Sequence, residues 1–255
     1  MMRPLVLVAL VMVPVAAQNA TTFRDRPAEE LFKDSRLAVS GTPGAVTKLK
    51  SFLFKGKSRL PAADGSSIDA AVEIKILLPD HYLRTDSVPS GERVQGYAGS
   101  KILNVMRGGG RTSAPPDADK PALLKFQRSE LARLLLGATT WVSTEQSMSF
   151  FSRGTPVEMP GQPGPLGLDV IGDEGQPLLR FFVEKDSRLP VRIVFRGAEG
   201  AVWTKTFTDR RAVNDWKLPF HITTTSPTST VDELIFDEMI VNPPLTKADF
   251  APAGR

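Results

Sequence analysis

Apolar and polar residues alternate along much of this chain, most regularly in its C-terminal third. There PLLRFFVEKDSRLPVRIVF, AVWTKTFTDRRAVNDWKLPFHITTT and TVDELIFDEMIVNPPLTKADF each repeat at a period of two, and short charged turns join them. Period two sends every second side chain to the same face of a strand, so these pieces predict strands that bury one side only. Upstream, LKSFLFKGKSRL predicts the first long strand and SSIDAAVEIKILLPDHY the second. In the second, Ile68, Ala70, Val72, Ile74, Ile76 and Leu78 share one face, and Asp69, Glu73 and Lys75 the other. Pro61-Ala-Ala-Asp-Gly65 between them has the composition of a hairpin turn. HYLRTDS, GERVQGYAG and SKILNVMR continue as shorter strands, and MSFF and LDVIGDEG resume the style further on.

Two segments change period. In RPAEELFKDSRLAVSG, Ala28, Leu31, Phe32, Ser35 and Val39 fall near one helical face. Pro27 suits a first helical position, Glu29 and Glu30 favour the positive N-terminal end, and Gly41 is a natural stop. PALLKFQRSELARLLLG predicts a second helix, Pro121–Gly137, with a broad stripe of Leu123, Leu124, Phe126, Leu131, Leu134 and Leu135, closed by Gly137. RGGGRTSAPPDADKP before it and RGTPVEMPGQPGPLG (153–167) after the next strand are rich in Pro and Gly and predict loose loops. Strands of the same style continue beyond both, so one domain is expected.

The N-terminus departs from this pattern. One cation, Arg3, precedes an apolar run from Leu5 to Ala17, and Val15-Ala16-Ala17 offers small residues for cleavage. That is the anatomy of a secretory signal peptide at residues 1–17, with cleavage after Ala17 or as late as Ala20. A membrane anchor fits less well: the run is short for about 30 Å of hydrocarbon, and Pro14 interrupts it. There is no cysteine, which excludes disulfides, thiolate catalysis, the common zinc frameworks and a lipidated N-terminus. The expectation is a periplasmic or secreted monomer without a stable membrane anchor. The net charge of +4 is dispersed along the chain, whereas nucleic-acid binding would need a clustered basic face.

Chemistry-bearing motifs are sparse. The two histidines, His81 and His221, lie in strand-like segments, and no G-x-S-x-G elbow accompanies them. Gly56-Lys57-Ser58 echoes the end of a phosphate-binding loop, but Ser51 stands where that loop needs glycine and the segment alternates like a strand. In a strand, Asp232/Glu233 and Asp237/Glu238 point to opposite faces, so neither pair converges on one ligand, and they are expected to keep the outer face wet. Arg107-Gly-Gly-Gly-Arg111 could cradle an anion or could simply be flexible. No enzyme activity, metal or cofactor is expected.

What remains is the apolar inventory of the alternating strands. Phe52, Phe54, Ile74, Ile76, Phe181, Val183, Ile193, Trp203, Phe207, Phe220, Ile222 and Phe236 form apolar faces on successive strands. Two readings stay open: a sheet packed on its helices, or a curved sheet whose concave side is partly filled and leaves a cavity for an acyl chain.

The leading helix ending at glycine, VTKLKSFLFKGKSRL, and the segments DSRLPVRIVF, FTDRRAVNDWKLPFHIT and FDEMIVNPPLTKADFAP resemble the LolA/LolB-like superfamily over about residues 24–252. The resemblance is best at Leu189-Pro190-Val191, at Lys217-Leu218-Pro219-Phe220, and at Val241-Asn242-Pro243-Pro244-Leu245 with Asp249-Phe250. It implies an α+β fold: a single strongly curved antiparallel sheet, a half-open β-barrel, with helices covering the concave mouth. It also implies a periplasmic carrier of lipoprotein acyl chains or other lipids, with the twelve apolar residues lining the cavity and Leu124, Leu131 and Leu135 on a lid helix. The alternative is an envelope regulatory or scaffold module that binds a protein partner on the same fold.

Overall fold

The computed structural model describes residues 21–61, 66–108, 111–113, 119–143, 148–152, 164–172, 175–197 and 200–251. The expected signal segment, the hairpin turn after Pro61, residues 109–110 and 114–118 of the first Pro- and Gly-rich loop and 153–163 of the second lie outside the described residues, while Arg111–Ser113 form a strand within the expected loose loop. The strands are β1 (Thr22–Phe23), β2 (Ser51–Pro61), β3 (Ser67–Leu77), β4 (His81–Val88), β5 (Gly91–Ala98), β6 (Lys101–Ile102), β7 (Val105–Gly108) and β8 (Arg111–Ser113), followed by β9 (Ser149–Ser152), β10 (Leu166–Ile171), β11 (Pro177–Val183), β12 (Pro190–Arg196), β13 (Val202–Val213), β14 (Trp216–Thr225) and β15 (Thr230–Val241). The helices are α1 (Arg26–Ser40) and α2 (Lys120–Thr139).

All strands join one open sheet in the order β1-β9-β10-β11-β12-β13-β14-β15-β2-β3-β4-β5-β7-β8, with β6 on β5. Two meanders are therefore zipped together where the last strand, β15, meets the first long one, β2. The sheet is mixed rather than purely antiparallel as expected, because β1 runs parallel to β9. Residues 22–23 reach that edge from the far side of the intervening 125-residue stretch, so nothing local dictates their direction.

The alternation sorts the faces as read. Ala70, Val72, Ile74 and Ile76 are buried, while Ile68 at the end of the same row is 45% exposed. The start of α1 is fixed by Asp25, whose carboxylate accepts hydrogen bonds from the Ala28 amide (2.8 Å) and from the Ser152 amide (2.8 Å), tying the helix to β9. The helix stops at Gly41, which takes a left-handed conformation (φ +63°). Helix α2 does not close at Gly137 as expected. It continues to Thr139 and is capped by Thr140, also left-handed (φ +58°).

The segments that carry the resemblance have structural roles. Asn242, left-handed at φ +56°, accepts from the Lys50 amide (2.8 Å) and donates to the Lys48 carbonyl (3.2 Å), while the Pro243 carbonyl accepts from Ser51 Oγ (2.6 Å). The Val-Asn-Pro-Pro run thus clasps the end of β15 to the start of β2. Pro219 sits in β14 opposite Arg210, next to an irregularity at Asp209 (φ +49°), a position where a missing N–H is tolerated. Phe250 is buried, its ring edge-on to His81 at 5.3 Å.

Candidate functional site

Cross-strand register carries one face from strand to strand. Leu168, Phe181, Ile193 and Lys205 stand opposite one another on β10 to β13. Phe207, Ile222, Leu234 and Ser58 do so on β13 to β15 and β2, and Phe52, Ile76, Tyr82 and Tyr97 on β2 to β5. The structure brings all twelve apolar residues singled out above into one cluster. Phe52, Phe54, Ile74, Ile76, Phe181, Val183, Ile193, Phe207, Phe220, Ile222 and Phe236 are buried, and Trp203 is half-buried against the same core, 6.2 Å from the ring of Phe195. Leu131 and Leu135 of α2 are buried in this cluster, and Leu124 packs against it from the helix's N-terminal half. Fully burying such a side chain stabilises by about 1.5–3 kcal/mol.

Beneath α2 the apolar face is crossed by charge. Arg84 donates Nη1 and Nη2 to the two carboxylate oxygens of Asp232 (2.8 and 2.9 Å) and Nε to Asp86 (3.0 Å). Asp86 also accepts from Ser58 Oγ (2.7 Å) and Arg93 Nη2 (3.0 Å). Burial alone would raise the Asp86 pKa, but the Arg84 charge and hydrogen bond, with Ser58 and Arg93, hold it below the usual carboxylate value. Burial likewise disfavours the Arg84 cation, and Asp232 and Asp86 outweigh it, raising its pKa. The expectation that Asp232 keeps the outer face wet is thus corrected. Adjacent residues do point to opposite faces, so Glu233 is outside with Arg59 and His221, and Asp232 is inside with Arg84.

A second charged group joins helix to sheet. Glu130 of α2 pairs with Arg133 on its own helix (2.5 Å) and with Lys205 of β13 (3.4 Å), and Lys205 Nζ donates to Thr224 Oγ1 (2.8 Å). Burial works against the Glu130 carboxylate, but Lys205 and Arg133 pull its pKa down to about 2. Nothing in the one-dimensional pattern marks Arg84, Asp86, Lys205 or Asp232 as inward charges except their parity with Tyr82 on β4, Phe207 on β13 and Leu234 on β15. Read strictly, that parity would have found them.

The nearest backbone approaches of α2 are to β12 and β14 at one side and to β5 and β6 at the other. Strands β15, β2, β3 and β4 lie between those flanks in the sheet. The C-terminal end of α2 is pinned: Arg210 of β13 donates to the carbonyls of Gly137 (2.8 Å) and Ala138 (3.3 Å). Its N-terminal half is looser, with Phe126 55% exposed and no side-chain hydrogen bond capping the first turn.

Among the described residues, the opposite face carries two surface grooves. One, of about 370 Å³, runs past Ile171, Leu178, Val194 and Val202 beside the Asp169–Arg180 ion pair (2.6 Å). The other, of about 280 Å³, lies between β3–β7 and the tail at Asp249, and includes Lys75, Lys101 and Arg107. His81 shares a hydrogen bond with Asp80 (2.7 Å) and His221 with Glu233 (2.8 Å). Among the described residues neither imidazole ring is hydrogen-bonded to a serine or threonine hydroxyl, and no three His, Asp or Glu side chains are grouped to hold a metal. No described helix is long and apolar enough to cross a membrane.

No protein-family model matches the chain, and no curated protein matches it in sequence. Solved structures do match in fold. A LolA superfamily protein from Nitrosomonas europaea aligns over 88% of this chain and 97% of its own, with 12% identity and a TM-score of 0.54. A domain assigned to an outer-membrane lipoprotein-sorting protein of Vibrio parahaemolyticus aligns over the same shares with 14% identity and a TM-score of 0.54. A DUF1329 family protein from Desulfovibrio piger does so with 10% identity and a TM-score of 0.57. At these identities the likeness is one of architecture, and the chain has a LolA-like fold.

Proposed function

We propose that the protein is a non-enzymatic carrier for acyl chains, free or as the anchor of a lipoprotein. In this reading a signal segment at residues 1–17 exports it to the periplasm, and the LolA-like domain at 24–252 holds the chain between sheet and helices. The observation that carries the proposal is the span of α2 across the apolar face. Strands are spaced about 4.8 Å apart, so β14 and β5, five places apart, would be roughly 24 Å apart in a flat sheet. At twenty residues α2 is about 30 Å long and can reach both flanks, and its looser approach to the strands between supports a sheet that curves away beneath it. In this reading Phe54, Ile74, Phe236 and their neighbours in the buried cluster would line the space for the acyl chain.

The lipoprotein-sorting and LolA assignments of the structural neighbours support the same reading. An acyl chain moved from water into such a space gains about 0.8 kcal/mol per buried CH₂, so a partly filled groove suffices. Delipidated protein titrated with a fluorescent fatty acid or a triacylated peptide should bind saturably. Absence of binding, together with no lipid co-purifying in native mass spectrometry, refutes the carrier.

A further inference from the structure

Lysine is among the residues least often buried, yet Lys205 is 3% exposed on the helix-covered face, level with Ile193 and Thr224 and two residues from Trp203 and Phe207. A buried cation needs a partner. Around Arg84 that need is balanced, with two guanidinium groups, Arg84 and Arg93, meeting two carboxylates, Asp86 and Asp232. Around Lys205 it is not. One carboxylate, Glu130, serves both Lys205 at 3.4 Å and Arg133 at 2.5 Å. Arg133 Nε is buried without a hydrogen-bond partner among the described residues, and its guanidinium lies 4.1 Å above the Phe195 ring. Among the described residues the group therefore holds one more cation than anion inside an apolar cluster. The single anion comes from α2, the covering element, and not from the sheet.

We propose that Lys205 and Arg133 form the headgroup end of the acyl-chain site, and that Glu130 occupies it as an internal surrogate until an acyl chain bearing a carboxylate or phosphate displaces it. The inference rests on the carrier reading and narrows it to anionic lipids. Displacement of Glu130 also frees the link between the middle of α2 and β13, so headgroup binding and opening of the helix are coupled.

The test compares pyrene-labelled dodecanoic acid with its methyl ester, which shares the chain and lacks the charge. On the wild-type protein the acid should bind about tenfold more tightly than the ester, as expected of one charge-assisted contact. Lys205→Met should abolish the preference for the acid over the ester, and Glu130→Gln should tighten the acid more than the ester, which gains only from the freed helix. Competition by oleate against dioleoyl phosphatidic acid then distinguishes a free fatty acid from a phospholipid as the source of the anion. Equal binding of acid and ester by the wild type overturns the headgroup assignment while leaving the carrier standing, and needs no variant to fold. Binding of neither probe overturns both.

Discussion

The ring of Phe207 on β13 lies so close to Gly137 of α2 that a Cβ at Gly137 would fall 2.0 Å from Phe207 Cζ. Glycine is a poor helix residue, about 1 kcal/mol worse than alanine, so its presence inside the last turns of α2 reflects the close approach of helix to sheet and not a stop signal. Gly137→Ala should destabilise the fold by roughly 1–2 kcal/mol despite the better propensity, because overpacking a rigid contact commonly costs about 1–3 kcal/mol. The urea midpoint measures it, and adding Phe207→Leu should recover most of the loss. A stabilised single mutant would mean that helix and sheet can separate here without penalty.

Arg210 supplies the other half of that anchorage. Besides the Gly137 and Ala138 carbonyls it donates to those of Pro190 (2.6 Å) and Lys217 (2.8 Å). Burial pulls its pKa down to about 9, so it is still charged at neutral pH and serves the negative end of the helix. Arg210→Met should cost about 2–3 kcal/mol through several orphaned carbonyls. Arg210→Lys should recover little, since a single ammonium cannot reproduce the planar fork. Thermal unfolding of the three proteins decides this, and full recovery by lysine would show that charge alone matters.

How far the chain announced this arrangement differs from element to element. The face formed by Ala70, Val72, Ile74 and Ile76 was legible because period two is a local property of strands, and α1 was legible from the Pro27 start and the Gly41 stop. The meeting of Arg84 with Asp232, 148 residues apart, was not legible. Periodicity states which face a residue takes, whereas its partner is set by which strands zip together, here β15 with β2. The end of α2 was misread at Gly137 because a glycine that permits close packing and one that ends a helix look alike in sequence. The apolar inventory gathers in one buried cluster, but inward charges hid behind the habit of assigning every charged strand residue to solvent.

Acid should unfold the protein partly through Glu130. Its folded pKa of about 2 lies below the ordinary value of 4.5, so the stability it contributes is present above 4.5 and is lost as pH falls through 2. Asp86, also lowered, acts with the same sign. Glu130→Gln should therefore flatten the decline of stability between pH 4.5 and 2 without abolishing it. Chemical denaturation at a series of acidic pH values gives the slope, and parallel curves for wild type and variant would remove Glu130 from the titration.

Two arginines, Arg59 on β2 and Arg84 on β4, should differ sharply. Arg59 pairs with Asp69 and Glu233 at the surface, and exposed pairs contribute about 0–1 kcal/mol. Arg84 is buried between Asp86 and Asp232, and breaking a buried pair by removing one partner costs about 3–5 kcal/mol because the carboxylates remain. Arg84→Met should approach that loss and Arg59→Met should be nearly silent. Similar denaturation midpoints for the two variants would contradict the burial of the Arg84 group.

The two halves of α2 should respond in opposite ways. Leu131, Leu134, Leu135 and Leu136 are buried, and Arg210 and Phe207 hold the same end, so Leu131→Ala should cost about 2–5 kcal/mol and lower overall stability. The half from Lys120 to Phe126 has exposed Ala122, Lys125 and Phe126 and half-buried Leu123 and Leu124, and Arg128 just beyond it donates Nη2 to the Gly99 carbonyl (3.2 Å) and lies 5.6 Å from the Tyr97 ring. If α2 uncovers an acyl-chain site, it opens from this end and pivots about the other, because few buried contacts there oppose a local opening. Amides of residues 124–128 should exchange with solvent much faster than those of 134–139, and bound fatty acid should slow the first set selectively. Leu124→Ala should change fatty-acid affinity with a stability loss well below that of Leu131→Ala. Uniform protection along the whole helix, with or without lipid, would make α2 a fixed part of the core and leave Leu124 no gating role.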